Sequence, residues 1–229
     1  MLTYEPLKNC AGIALFGDYL SLRRVHEIVH DVNGRSTIIR DKEGFFLGLA
    51  YDIRKASEGQ RRQRQRDDAQ PQVGRRFGVE FLWPTILVQC RQLRDSLAYI
   101  DHSKEHQAVT YELESILERA IKSEFKSNAA AVRAEWERLQ PSHRFLEENA
   151  ETRVAQFADW TSAQRQQCLA GILTSLDPMY AALYPIWIRQ GRRDLVSPND
   201  FAAWKEKEFP NLNDDLADTD SDREGTRTF

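Results

Sequence analysis

The chain alternates short apolar runs with long stretches of helical periodicity. Residues 11–16, AGIALF, form an apolar run closed by Gly17-Asp18, which reads as a strand with Asp18 capping a following helix. Leu22, Val25, Val29 and Val32 then fall on one stripe, so a helix is expected from Tyr19 to Val32, with Asn33-Gly34 as its stop signal. A second helix is expected over 44–58, with Phe45, Leu49, Ile53 and Ala56 inward. In GVEFLW, Val79, Phe81 and Trp83 alternate with Glu80 and Leu82, the pattern of a strand that can pair with AGIALF.

From Pro84 onward helical spacing dominates. Ile86, Cys90, Leu93, Leu97 and Ile100 form one seam, and Val109, Leu113, Ile116, Leu117, Ala120 and Ile121 form another. A short polar link carrying Asp101 and Ser103 joins them, which predicts an antiparallel helical hairpin. Further helices are expected at 129–139, at 143–158, after the capping-box pattern Thr161-Ser162-Ala163-Gln164, after Asp177-Pro178 and after Ser197-Pro198. Pro185 should kink the helix it interrupts. The predicted architecture is an all-α domain of seven or eight helices spanning 1–210, with at most a two-stranded β element near the N-terminus.

Composition changes this picture in two places. Residues 59–76 hold six arginines and one aliphatic residue larger than alanine, so 59–77 is expected to be a mobile arginine-rich loop. Residues 211–229 are rich in aspartate and are expected to be a disordered acidic tail. Over its 229 residues the protein is 41% hydrophobic and 29% charged, a globular balance, and its formal charge of −3 provides no general attraction for nucleic acid or anionic membrane. No stretch approaches about 18 consecutive apolar residues, so no membrane association is expected. The first ten residues lack a signal-peptide pattern, and Cys10, Cys90 and Cys168 form no CxxC. A cytoplasmic location with the three thiols as buried hydrophobes follows.

Chemistry is concentrated in VHEIVH, residues 25–30. Histidines four apart lie one turn apart on one helical face, where two imidazoles can reach one zinc ion. Over His26-Glu27-Ile28-Val29-His30 the chain resembles the zincin metalloproteases. That resemblance implies His26 and His30 as zinc ligands, Glu27 as general base, and a third ligand for which Asp52 or Glu58 is the candidate. Only 25 residues precede His26, however, and Asn33 and Ser36 stand where a metzincin has glycine and histidine. At about 100° per residue the apolar stripe is centred roughly 100° from His26 and roughly 140° from His30, so both face the margin or the polar side. Without metal, Arg23 and Glu27 are an ordinary i,i+4 ion pair and His30 sits in the last helical turn.

Other candidates are weaker. Arg61, Arg62, Arg64, Arg66, Arg75 and Arg76 suit phosphate contacts, yet Asp67 and Asp68 sit among them. His102 and His106 share the i,i+4 spacing at a helix start, and His143 has no histidine or cysteine nearby in sequence. Trp136, Trp160, Trp187, Trp204, Tyr180, Tyr184 and Phe201 read as core. No complete catalytic set emerges and no cofactor is expected, zinc entering only with the HExxH reading. The expected function is a non-catalytic interaction or regulatory protein that binds a protein partner or itself. A zinc-dependent hydrolase using 26–30 and a nucleic-acid binder using 61–76 are the alternatives.

Overall fold

The computed structural model describes residues 1–64 and 74–208. In chain order the first elements are β1 (Thr3–Pro6), β2 (Gly12–Gly17), α1 (Tyr19–Arg35), α2 (Phe45–Ser57), β3 (Arg62–Arg64) and β4 (Arg76–Leu82). Then come α3 (Trp83–Ser96), α4 (Lys104–Phe125), α5 (Ala129–Arg138), α6 (Leu146–Ala158), α7 (Ser162–Thr174), α8 (Tyr180–Arg189) and α9 (Pro198–Glu208). The architecture is mainly helical with a small sheet. Each helical segment expected from periodicity is present. The described residues hold nine α-helices, one for each segment with helical spacing, against the total of seven or eight expected.

The sheet has four antiparallel strands in the order β1-β2-β4-β3, not two. AGIALF and GVEFLW do pair, with Ile13 opposite Phe81 and Leu15 opposite Val79. The approach is so close at Gly12 that a Cβ there would lie 1.8 Å from the Phe81 carbonyl oxygen, which leaves glycine as the residue that fits. Trp83 leaves the strand and opens α3, its N–H donating to the Ala11 carbonyl.

The two outer strands explain the difference in strand number. β1 is four residues long and ends in Pro6, a residue suited to an edge. β3 is Arg-Gln-Arg, exposed at all three positions, so no apolar alternation marks it. Part of the expected mobile loop is therefore an ordered edge strand. Its arginines have a packing role. Phe16 points away from the helices, yet is only 2% exposed. The Arg64 guanidinium lies 4.5 Å from its ring centroid, and the ring also packs over Gly78. Arg64 pairs with Glu5, and Arg62 pairs with Glu80 at 2.6 Å. Arg66 and the 211–229 segment lie outside the described residues.

The inward face of the sheet carries Ile13, Leu15, Val79 and Phe81 into a continuous core shared with α1 to α7. The α3–α4 hairpin is antiparallel as expected. Trp83 at the start of α3 meets Phe125 at the end of α4 edge-on at 5.3 Å, and Arg94 holds Glu114 further along. Trp136 fixes α5 on this pair by donating its indole N–H to the Leu87 carbonyl at 2.8 Å. Thr161 and Gln164 form the expected capping box of α7. A second apolar cluster, Tyr180, Leu183, Trp187, Val196 and Phe201, joins α8 to α9, and Pro185 lies within α8.

One helix end differs from expectation. α1 passes through Asn33-Gly34 and stops at Arg35. Asn33 is buried and donates from Nδ2 to the Lys42 carbonyl at 2.8 Å, while the Lys42 ammonium donates to the carbonyls of Asn33 and Ser36. Tertiary hydrogen bonds thus satisfy the end of the helix that a local stop signal would otherwise have closed. His30 accordingly sits before, not in, the last turn.

Two substitutions test the outer face. Phe16→Ala should cost about 3–5 kcal/mol in chemical denaturation, the range for emptying a buried aromatic site. Arg64→Ala should cost about 0.5–2 kcal/mol, the range of a cation held over a ring. At α7, Thr161→Ala should cost about 1 kcal/mol through loss of the cap.

Candidate functional site

α1 and α2 pack side by side and leave a groove of about 510 Å³ between their outer edges. α1 lines it with His26, Glu27, His30 and Asp31, and α2 with Leu47, Ala50, Tyr51 and Arg54. The HExxH string therefore does face a concave surface. Because α1 buries Leu22, Val25, Val29 and Val32, its remaining sides carry the histidines to the margin, as the helical angles require. The rings of His26 and His30 are neighbours, with centroids 5.9 Å apart.

The rest of a zinc site does not assemble around them. Glu27 accepts from the Arg23 guanidinium at 2.7 Å, so the expected ion pair forms. Asp52 is bound by Arg61 at 2.6 Å, and Glu58 accepts from the Gln60 amide at 3.0 Å. Among the described residues no group of three or more His, Cys, Asp or Glu side chains could hold a metal ion. The candidate third ligands are committed elsewhere, and Arg54 lines the same groove. Two imidazoles beside a guanidinium do not fit a zinc centre, which needs a further protein ligand and tolerates a fixed cation poorly.

The electrostatics of the groove follow from which of its charges are already paired. Glu27 is neutralised by Arg23. Asp31 accepts from Arg35 at 2.8 Å and lies 3.0 Å from His106 Nε2, and both contacts hold its carboxyl below the ordinary range against the opposing effect of burial. Among the described residues Arg54 makes no ion pair, and its guanidinium lies 5.4 Å from the Tyr51 ring centroid. Burial lowers the His26 pKa below its ordinary value, the charges of His30 and Arg54 add to this, and Glu27 and Glu58 oppose it. The groove is thus an apolar floor with two imidazoles, one uncommitted guanidinium and a 46% exposed tyrosine.

The other candidate residues are placed as follows. Arg61 binds Asp52, and Arg62 and Arg64 hold carboxylates across the sheet. Arg76 donates to the carbonyls of Met1 and Phe16, and Arg75 is exposed at the edge of the described residues. None of these described arginines lines the groove. His106 is a capping residue that also bonds Asp31, and His102 meets the Gln107 amide. Cys10 and Cys90 are buried, and burial pushes both thiols up, to about 11 for Cys10. Cys168 is only partly buried, in contrast to the expectation for all three. Leu47, Ala50, Tyr51 and Arg54 were not legible as site residues. Their i,i+3 and i,i+4 spacing on the edge of α2 is the signal that marks them once α2 is known to lie beside α1.

His26 supplies a pH test. Its depressed pKa means that the unfolded chain takes up a proton first as pH falls. Its contribution to stability is complete above the unfolded value near 6.5 and is lost as pH falls through the lower folded value. NMR titration should show His26 protonating below pH about 6.5. Arg54→Ala should move that midpoint upward, and an unmoved midpoint would remove Arg54 as a contributor.

Among the described residues no helix is long and apolar enough to cross a membrane. No curated protein and no solved structure matches the chain. Residues 2–210, which include every element described above, match the model of a domain of unknown function, DUF6904, and the protein belongs to that family.

Proposed function

We propose that this protein is a non-catalytic interaction domain that takes an acidic, partly apolar segment of a protein partner into the α1–α2 groove. One observation carries the reading. Both carboxylates of the groove are neutralised by pairs made outside it, which leaves Arg54, His26 and His30 facing the groove beside an exposed Tyr51. A partner carboxylate satisfies Arg54 bidentately, and an apolar neighbour covers Leu47, Ala50 and the tyrosine ring. Tyrosine and arginine are the side chains most often found at the energetic centre of such contacts.

Hydrolysis has less support from this geometry, because Glu27 is held by Arg23 and the third ligand does not converge. Nucleic-acid binding has less support because most of the described arginines of 61–76 make internal contacts.

The charge reversal Arg54→Glu tests the proposal. It should reduce capture of a partner from lysate by at least about tenfold, the loss expected for a charge-assisted bond at an interface centre, with thermal melting unchanged. Undiminished capture would place the contact elsewhere. Metal analysis of protein reconstituted with zinc should find well under one equivalent per chain. One tightly held zinc lost in His26→Ala would favour the hydrolase instead.

A further inference from the structure

A separate cavity of about 220 Å³ lies where the link between α1 and α2, the side of α3 and the start of α6 meet. One of its buried lining residues is polar. Gln92, on α3, is 1% exposed and donates from Nε2 to Glu147 Oε1 at 2.7 Å. That bond fixes the amide orientation and leaves Oε1 as an acceptor, buried and without a partner. Nδ1 of His143, also in the lining, is likewise buried and unpartnered. Such groups cost free energy unless something supplies donors.

Charge around them has one sign in excess. Glu147, Asp41, Glu148 and Glu151 line the cavity, and among the described residues none makes an ion pair. The nearest ammonium is already used, since Lys42 donates to the carbonyls of Asn33 and Ser36. Burial pushes the Glu147 carboxyl above its ordinary range, with the charges of Asp41 and Glu151 adding to the rise and the Gln92 hydrogen bond and the more distant Lys42 charge opposing it. Arg40 and Arg144 are exposed members of the lining, which limits the net negative charge and disfavours multivalent cations.

We propose that this cavity binds a small primary amine in its ammonium form. The argument is one of donor count. An ammonium carries three N–H donors and no acceptor. Gln92 Oε1 and His143 Nδ1 are acceptors without a partner, and Glu147, whose Oε1 already accepts from Gln92, adds a carboxylate that makes no ion pair among the described residues. A bare metal ion is a poorer match, because no group of three metal-ligating side chains occurs among the described residues. Bound ammonium supplies Glu147 with a cation in direct contact, where among the described residues it makes no ion pair.

The test is calorimetric titration of the full chain with n-butylammonium chloride and, at equal ionic strength, tetramethylammonium chloride. Butylammonium should bind saturably, one per chain. Tetramethylammonium, which has charge but no N–H, should bind at least about tenfold more weakly, as loss of charge-assisted hydrogen bonds requires. Glu147→Gln should weaken butylammonium binding by about tenfold or more, and Glu148→Gln at the exposed rim by less than about threefold. Equal binding of the two cations would mean attraction to an acidic surface and would overturn the proposal. So would the absence of saturable amine binding. The comparison of cations needs only the unmodified protein, so it decides the matter even if the Glu147 variant does not fold.

Discussion

The pairing of β2 with β4 is the constraint on which the other contacts depend. These strands are neighbours in the sheet, yet α1, α2 and β3 lie between them in sequence. The whole α1–α2 pair is therefore an excursion whose two ends are held within one strand spacing of each other. Gly12 allows that closure, because any side chain there would collide with the backbone of β4. Once the ends are held, α1 and α2 must pack against each other and the inner face of the sheet. The groove between their outer edges is a product of that closure.

The same closure determines what VHEIVH becomes. A zinc site on one helix is completed from another element, and here the neighbour is α2. That helix brings Leu47, Ala50, Tyr51 and Arg54 to the histidines, and its Asp52 is turned toward Arg61. A change of neighbour, not of the five-residue string, separates a metal centre from a basic, aromatic groove. Arg23 and Asp31 show the point from the other side. Both have the right charge to influence a site, and both act through partners on the helix surface: Arg23 through Glu27, Asp31 through Arg35 and His106.

How much was legible in the sequence depended on whether burial left a periodic trace. Leu22, Val25, Val29 and Val32 predict α1, and Val79 and Phe81 predict β4, because each faces one core. The capping pattern at Thr161 was legible because it is local. β3 left no trace, since its ordering comes from backbone pairing and from arginines that cover Phe16 from outside. The end of α1 was misleading for a related reason. Asn33-Gly34 is a stop signal only while its carbonyls lack partners, and Lys42 provides them from nine residues away. The cavity beside Gln92 was illegible for the strongest reason of all, because its polar groups come from three stretches of chain far apart in sequence.

The arginines of β3 have a consequence beyond the packing of Phe16. An edge strand with free N–H and C=O groups is a template for adding a strand from another molecule. Here one edge of the sheet is β1, short and ended by Pro6, and the other is β3, in which two of three residues are cationic. A second copy approaching β3 edge to edge would bring arginine against arginine. The two arginines of β3 thus oppose growth of the sheet at this edge.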